Sequence, residues 1–119
     1  MERAVPILPA DDLHAAREFY IGKLGFTATF QNSDDGHRGL LGIARGTIAI
    51  TLDCPMDGHG RNACVSLEVS DADHYYREWN PCVSIGRPPN DEPWGARTFD
   101  LQDPFGNTIF VIGPPSTAG

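Results

Sequence analysis

Apolar positions in this chain follow two rhythms, and each rhythm occurs twice. Val5–Leu8 is a short apolar run holding Pro6 and followed by Pro9, which predicts a strand with little ladder pairing on one side. Leu13, Ala16, Phe19, Tyr20 and Leu24 then recur at helical spacing. They predict a helix with one apolar face, capped by Asp11 or Asp12. Leu24-Gly25-Phe26 ends it, because glycine suits a left-handed position past a helix end, and Phe26 opens a strand to about Gln31. After a turn at Asn32–Gly36, strands are predicted over residues 38–44 and 47–53, joined at Arg45-Gly46.

Residues 54–61, CPMDGHGR, break the pattern and read as a linker; the order then begins again. Ala63–Val69 predicts a strand, Asp71 a helix cap, and Ala72, Tyr75, Tyr76 and Trp79 a short helical face. Cys82–Ile85 reads as a strand and Arg87–Asn90 as a loop. A hairpin closes the chain: Thr98, Phe99 and Leu101 lie in one strand, Asp103–Asn107 supply the turn, and Thr108–Ile112 form the other. The result is one domain, residues 1–119, with strand–helix–strands twice, over about 1–53 and 62–113. In Ala63–Val69, Val65, Leu67 and Val69 share one face and Cys64, Ser66 and Glu68 the other. A sheet with helices on its apolar side and a polar concavity opposite has a binding-site layout. Trp94, set in Pro-Trp-Gly, offers a large flat surface at low entropy cost.

Composition narrows the function classes. A chain of 119 residues, 40% hydrophobic and 21% charged, is long enough for a real core and is not disordered. No apolar run is long enough to cross a membrane, and Met1-Glu2-Arg3 leads straight into a strand-like run, so a cytoplasmic protein is expected. Three cysteines without close spacing fit free thiols in a reducing compartment. A net charge of −7 argues against a nucleic-acid partner and is compatible with a cationic ligand. His14 and His74 fall on helices, His37 and His59 in loops, and no pair has ligand spacing; Asp57/His59 is the nearest approach and reads as a solvated loop. There is no glycine-rich phosphate loop and no nucleophile elbow; Cys64 would be a nucleophile only with a base beside it and otherwise reads as a buried, inert thiol.

The order of these motifs resembles the vicinal oxygen chelate superfamily of glyoxalase I, extradiol dioxygenases and bleomycin-resistance proteins. The likeness is strongest to the bleomycin-resistance proteins. It rests on AVPIL at 4–8, Glu18-Phe19-Tyr20, Leu24-Gly25-Phe26, Trp79, and EPWGARTFDLQDPFGN at 92–107. The resemblance implies an α+β fold of paired βαβββ modules and a homodimer, often with an exchanged first strand, whose ligand clefts lie between subunits. The superfamily's metal enzymes carry His, Glu or Gln at four seats, which fall here at Val5, about Ala49–Ile50, Cys64 and Phe110. Apolar side chains have no lone pair for a metal, and one Cys cannot hold it in a catalytic geometry. What the resemblance then implies is binding without catalysis. The protein is expected to sequester a bleomycin-like glycopeptide antibiotic, needing no cofactor beyond a metal carried by the drug.

By this resemblance Trp94 is a stacking wall of the cleft, Phe30 matches a family aromatic, Ser66 and Glu68 line the cleft together with Cys64 on the same face, and Phe110 fills the vacated metal position. Asp34 and Asp35 read as turn residues. Ser66 and Glu68 stand where some relatives carry bulky aromatics, and the segment between Trp79 and Trp94 is short beside theirs. Both differences point to a more open, more acidic pocket than bleomycin needs. The alternatives are a metal-dependent lyase or dioxygenase of the same superfamily, or a binding module for another small molecule.

Overall fold

Alternation of the Ile48–Cys54 kind turns every second side chain to one side, and Ile50, Leu52 and Cys54 are the buried ones. Two four-stranded sheets are built in this way in the computed structural model, which describes residues 2–56 and 62–116. The Asp57/His59 pair and linker residues 57–61 lie outside the described residues.

The first sheet contains β1 (Ile7–Pro9), β2 (Thr27–Asn32), β3 (Gly39–Arg45) and β4 (Ile48–Cys54), in the order β1-β4-β3-β2. The second contains β5 (Cys64–Glu68), β6 (Asn90–Asp91), β7 (Arg97–Gln102) and β8 (Thr108–Gly113), in the order β5-β8-β7-β6. In each, the first strand runs parallel to the last and the remaining pairs are antiparallel. The same βαβββ topology thus occurs twice, giving the α+β fold that the resemblance implies. By their contacts the residues divide into two compact units: 1–63 with 103–107, and 64–102 with 108–119.

In the first unit, helix α1 (Leu13–Ala16) continues as a π-helical segment, Arg17–Lys23. Asp12 is the cap, its carboxylate accepting from Ala15 N at 3.0 Å. The wider turn ends with Leu24 N donating to Phe19 O at 3.1 Å. It leaves Leu13, Ala16, Phe19, Tyr20 and Leu24 all buried, so the helical spacing found the apolar face although part of the helix is not α. Gly25 has φ 78, the left-handed conformation that glycine adopts without penalty. β1 begins at Ile7 rather than Val5 and includes Pro9, which pairs with Asp53 of the same chain. Pro6 still contributes its carbonyl, which accepts from Thr51 N at 2.9 Å.

In the second unit, α2 (Ala72–Trp79) is capped by Asp71 and buries Ala72 and Trp79. Trp79 and Tyr76 set their rings against Phe99 of β7, with centroids 6.4 and 5.7 Å apart. Val65, Leu67, Phe99, Leu101, Ile109 and Val111 are buried apolar side chains of β5, β7 and β8. One expected strand is absent: Cys82–Ile85 is irregular. Cys82 N and Val83 N both turn back to Trp79 O, at 2.9 and 3.0 Å, so these donors are unavailable to a ladder. The fourth strand is instead Asn90–Asp91, beginning in what reads as a loop residue. With two prolines directly ahead of it, it is only two residues long.

Candidate functional site

The sheet of the second unit has one face against α2 and one open face. Register builds the open face row by row. Cys64, Thr108 and Gln102 form one row; Ser66, Phe110 and Asp100 the next; Glu68, Ile112 and Thr98 the third. Cys64, Ser66 and Glu68 are exposed on this face, and Phe110 is half-buried beside them. Four of the six residues singled out from the sequence therefore share one surface. One expectation changes. Cys64 is not a buried thiol but an exposed one; among the cysteines it is Cys54 that is buried, and burial pushes its thiol above the ordinary value. The lateral neighbours of Phe110 are Ser66 and Asp100.

Trp94 lies in the turn between β6 and β7, where Glu92 N donates to Ala96 O at 2.7 Å and Gly95 N to Glu92 O at 3.1 Å. Gly95 has φ 95, so glycine is needed to close this turn. The indole is 61% exposed, an unusual cost for the largest apolar side chain unless something covers it.

Phe30 belongs to the first unit. It stands on the open face of the first sheet in the row Ile7, Thr51, Gly42, Phe30. Its ring lies over Gly42, where an added Cβ would come within 2.2 Å of Phe30 Cε1. Phe30 is 48% and Ile7 50% exposed, so this sheet also presents apolar surface. Asp34 lies in the turn before β3. Asp35 is a turn residue as expected: backbone N–H groups of Arg38 and His37 hold its carboxyl below the usual range, helped by Ser33.

Sequence reasoning missed several open-face residues. Arg87 donates to Thr98 O at 2.9 Å and to Thr98 Oγ1 at 3.3 Å, and Thr98 Oγ1 donates to Glu92 Oε1 at 2.8 Å. This group covers one end of the face and leaves Thr98 fully buried although it points outward. At the other end Ser84, Gly86, Asp100, Leu101, Gln102 and Thr108 line a depression of about 430 Å³. Asp100 and Gln102 were within reach of the sequence. If Phe99 and Leu101 turn inward, a period of two turns their neighbours outward. Ser84 and Gly86 follow only from the path of the loop.

The positions that the resemblance assigns to a metal, Val5, about Ala49–Ile50, Cys64 and Phe110, carry side chains that do not suit one. Val5 and Phe110 have no donor atom. In β4, Ile50 is buried and Ala49 has only a methyl group, which leaves the Cys64 thiol. Among the described residues no group of three or more His, Cys, Asp or Glu side chains converges as a metal site. Nor is any helix among them long and apolar enough to cross a membrane.

Residues 3–111 match the family model described as the glyoxalase/bleomycin resistance protein/dioxygenase superfamily. No curated protein matches the sequence. Among solved structures, the chain is similar to the bleomycin-binding protein from bleomycin-producing Streptomyces verticillus, complexed with copper(II)-bleomycin. Identity is 29% over 95% of this chain and 96% of that one, with a TM-score of 0.78. A bleomycin resistance determinant encoded on the transposon Tn5 superposes with a TM-score of 0.80 at 22% identity, covering 96% and 98% of the two chains. A lactoylglutathione lyase from Agrobacterium tumefaciens gives 0.73 at 19% identity, covering 95% and 94%. The last two show the shared fold alone. With the family match spanning nearly all of the described strands and helices, this chain belongs to the glyoxalase/bleomycin resistance protein/dioxygenase superfamily.

Proposed function

We propose that this protein binds a bleomycin-like glycopeptide antibiotic without altering it, and protects its host by sequestration as a cytoplasmic homodimer. The observation that carries the reading is Trp94: an exposed indole on a short, glycine-closed turn is a preorganised plate for a flat group. The carboxylate of Glu68, exposed on the open face, suits a cationic drug. The 29% identity to a bleomycin-binding protein supports the same ligand class. The seats at Val5, about Ala49–Ile50, Cys64 and Phe110 give no donor set for the metal chemistry of the enzyme members.

A titration with copper(II)-bleomycin and metal-free bleomycin, read by tryptophan fluorescence, tests the proposal. Saturation near one drug per chain is expected, with Trp94→Ala binding at least about tenfold more weakly. Silence towards every bleomycin-class compound, in fluorescence and calorimetry alike, removes it. A second reading, binding of a different small molecule, is favoured by the polar Ser66–Phe110–Asp100 row. A thermal-shift screen of cationic metabolites and antibiotics separates the two, because only a ligand of the native state raises the transition.

A further inference from the structure

Most carboxylates of the second unit are already engaged. Asp71 caps α2, Asp73 and Asp91 hold Arg97, Glu78 faces His74, and Glu92 accepts from Thr98. Asp100 has no hydrogen-bond or ion-pair partner among the described residues. The nearby loop cation does not serve it, since Arg87 directs its guanidinium to Thr98. Asp100 nonetheless lines the 430 Å³ depression with Ser84, Gly86, Gln102 and Thr108. Its direct cross-strand neighbour is Phe110. Such a pair has Cβ atoms about 5 Å apart, the offset between a ring and a charged group on the same planar ligand. At Gly86 an added Cβ would meet nothing within 4 Å, so that edge of the depression is open.

We propose that Asp100 and Phe110 form a subsite for an aryl cation: a flat aromatic group lying on Phe110 with an amidinium or ammonium on the Asp100 carboxylate. Ser84, Gln102 and Thr108 supply the remaining polar contacts. The inference rests on the open face being the binding surface of the proposed function, and it names the chemistry that this surface selects. Asp100 is a specificity-determining residue in this scheme, distinct from the stacking role of Trp94.

Benzamidine is the probe, followed by amide chemical shifts in the wild-type protein, with benzamide as its neutral counterpart. Saturable shifts should appear at Asp100, Gln102 and Thr108. Benzamide should produce none, and Asp100→Asn should weaken the benzamidine response about tenfold or more. Gly86→Leu, which narrows the depression while keeping the carboxylate, should weaken it as well. Equal responses to benzamidine and benzamide, an unchanged response in Asp100→Asn, or shifts centred elsewhere overturn the subsite. A parallel titration with copper(II)-bleomycin keeps the two proposals apart. Benzamidine binding at Asp100 without any drug response leaves the subsite standing and the drug reading lost. Drug binding equal in wild type and Asp100→Asn, with no benzamidine response, does the reverse.

Discussion

Tyr20 donates its hydroxyl hydrogen to Asp103 Oδ2 at 2.6 Å, joining residues 83 positions apart, both buried. Asp103 also accepts from Phe105 N and Asn107 N at Oδ1, and from Asn107 Nδ2 at Oδ2, at 2.8–2.9 Å. Asn107 Nδ2 in turn donates to Pro9 O at 2.8 Å. The DPFGN turn is thus held by a satisfied polar network in which a carboxylate organises both turn amides and the helix phenol.

Removing parts of this network should cost unequal amounts. Tyr20→Phe deletes one donor to a carboxylate that keeps three others, and about 1–2 kcal/mol is expected. Asp103→Ala strands the Phe105 and Asn107 amides and the Tyr20 hydroxyl together, so a loss of about 3 kcal/mol or more is expected. Urea unfolding of the variants measures both; equal midpoints for wild type and Asp103→Ala contradict the assignment.

The same pair has an alkaline signature. Burial, reinforced by the Asp103 carboxylate, pushes the Tyr20 phenol far above its ordinary value of 10.0. A group whose folded value is raised contributes stability that is complete below the unfolded value and declines above it. The advantage of wild type over Tyr20→Phe should therefore be full up to about pH 10 and shrink beyond it. Unfolding midpoints from pH 8 to 11 provide the check, with a constant difference counting against it.

His37 and Asp12 titrate as a linked pair. His37 Nδ1 lies 2.6 Å from Asp12 Oδ1, and this contact raises the imidazole value and lowers that of the carboxyl. The His37 contribution is complete below about pH 6.5 and is lost as pH rises through its raised value; the Asp12 contribution is complete above about pH 3.8 and is lost on acidification. In Asp12→Asn, which retains a cap oxygen, the His37 midpoint seen by NMR should fall. A midpoint that does not move excludes the pairing in solution.

Two glycines of β3 should respond differently to alanine. At Gly39, φ is 130 and the new Cβ would meet the Asn32 carbonyl oxygen, which belongs to the backbone and has no room to yield. About 2–3 kcal/mol is expected. At Gly42 the obstacles are two exposed side chains, the Phe30 ring and the Thr29 hydroxyl, which can swing into solvent, so Gly42→Ala should cost under about 1 kcal/mol. That smaller cost should shrink, with only Thr29 left in the way, in a Phe30→Ala background, as a double-mutant cycle will show. Additive effects place the ring elsewhere.

Trp94 and Trp79 make a final contrast. Trp79 is fully buried and Trp94 is 61% exposed. Trp94→Phe should abolish nearly all acrylamide-quenchable fluorescence with stability changed by no more than about 0.5 kcal/mol. Trp79→Phe should leave the quenchable signal and lose about 1–3 kcal/mol of stability. A quenching profile unaltered by loss of Trp94 puts its indole under cover.

Much of this arrangement was present in local sequence. Period-two alternation assigned Cys64, Ser66 and Glu68 to one face of β5, and period-3.6 spacing found the buried side of the first helix, because both follow from backbone geometry. Cap and turn chemistry did the same for Asp71, Gly25 and DPFGN, and narrowed the first cap to Asp11 or Asp12, of which the structure uses Asp12. Local signals failed where several partners, some only a few residues away, compete for the same groups. The Trp79 carbonyl captures the amides of Cys82 and Val83 and removes a predicted strand. Arg87 and Glu92 bury the outward-facing Thr98. Nothing near Asp103 in sequence foretells Tyr20, and nothing near Asp100 foretells a free carboxylate beside Phe110. Those depend on which elements become neighbours, and such neighbours are chosen by long-range pairing and packing that no single segment encodes.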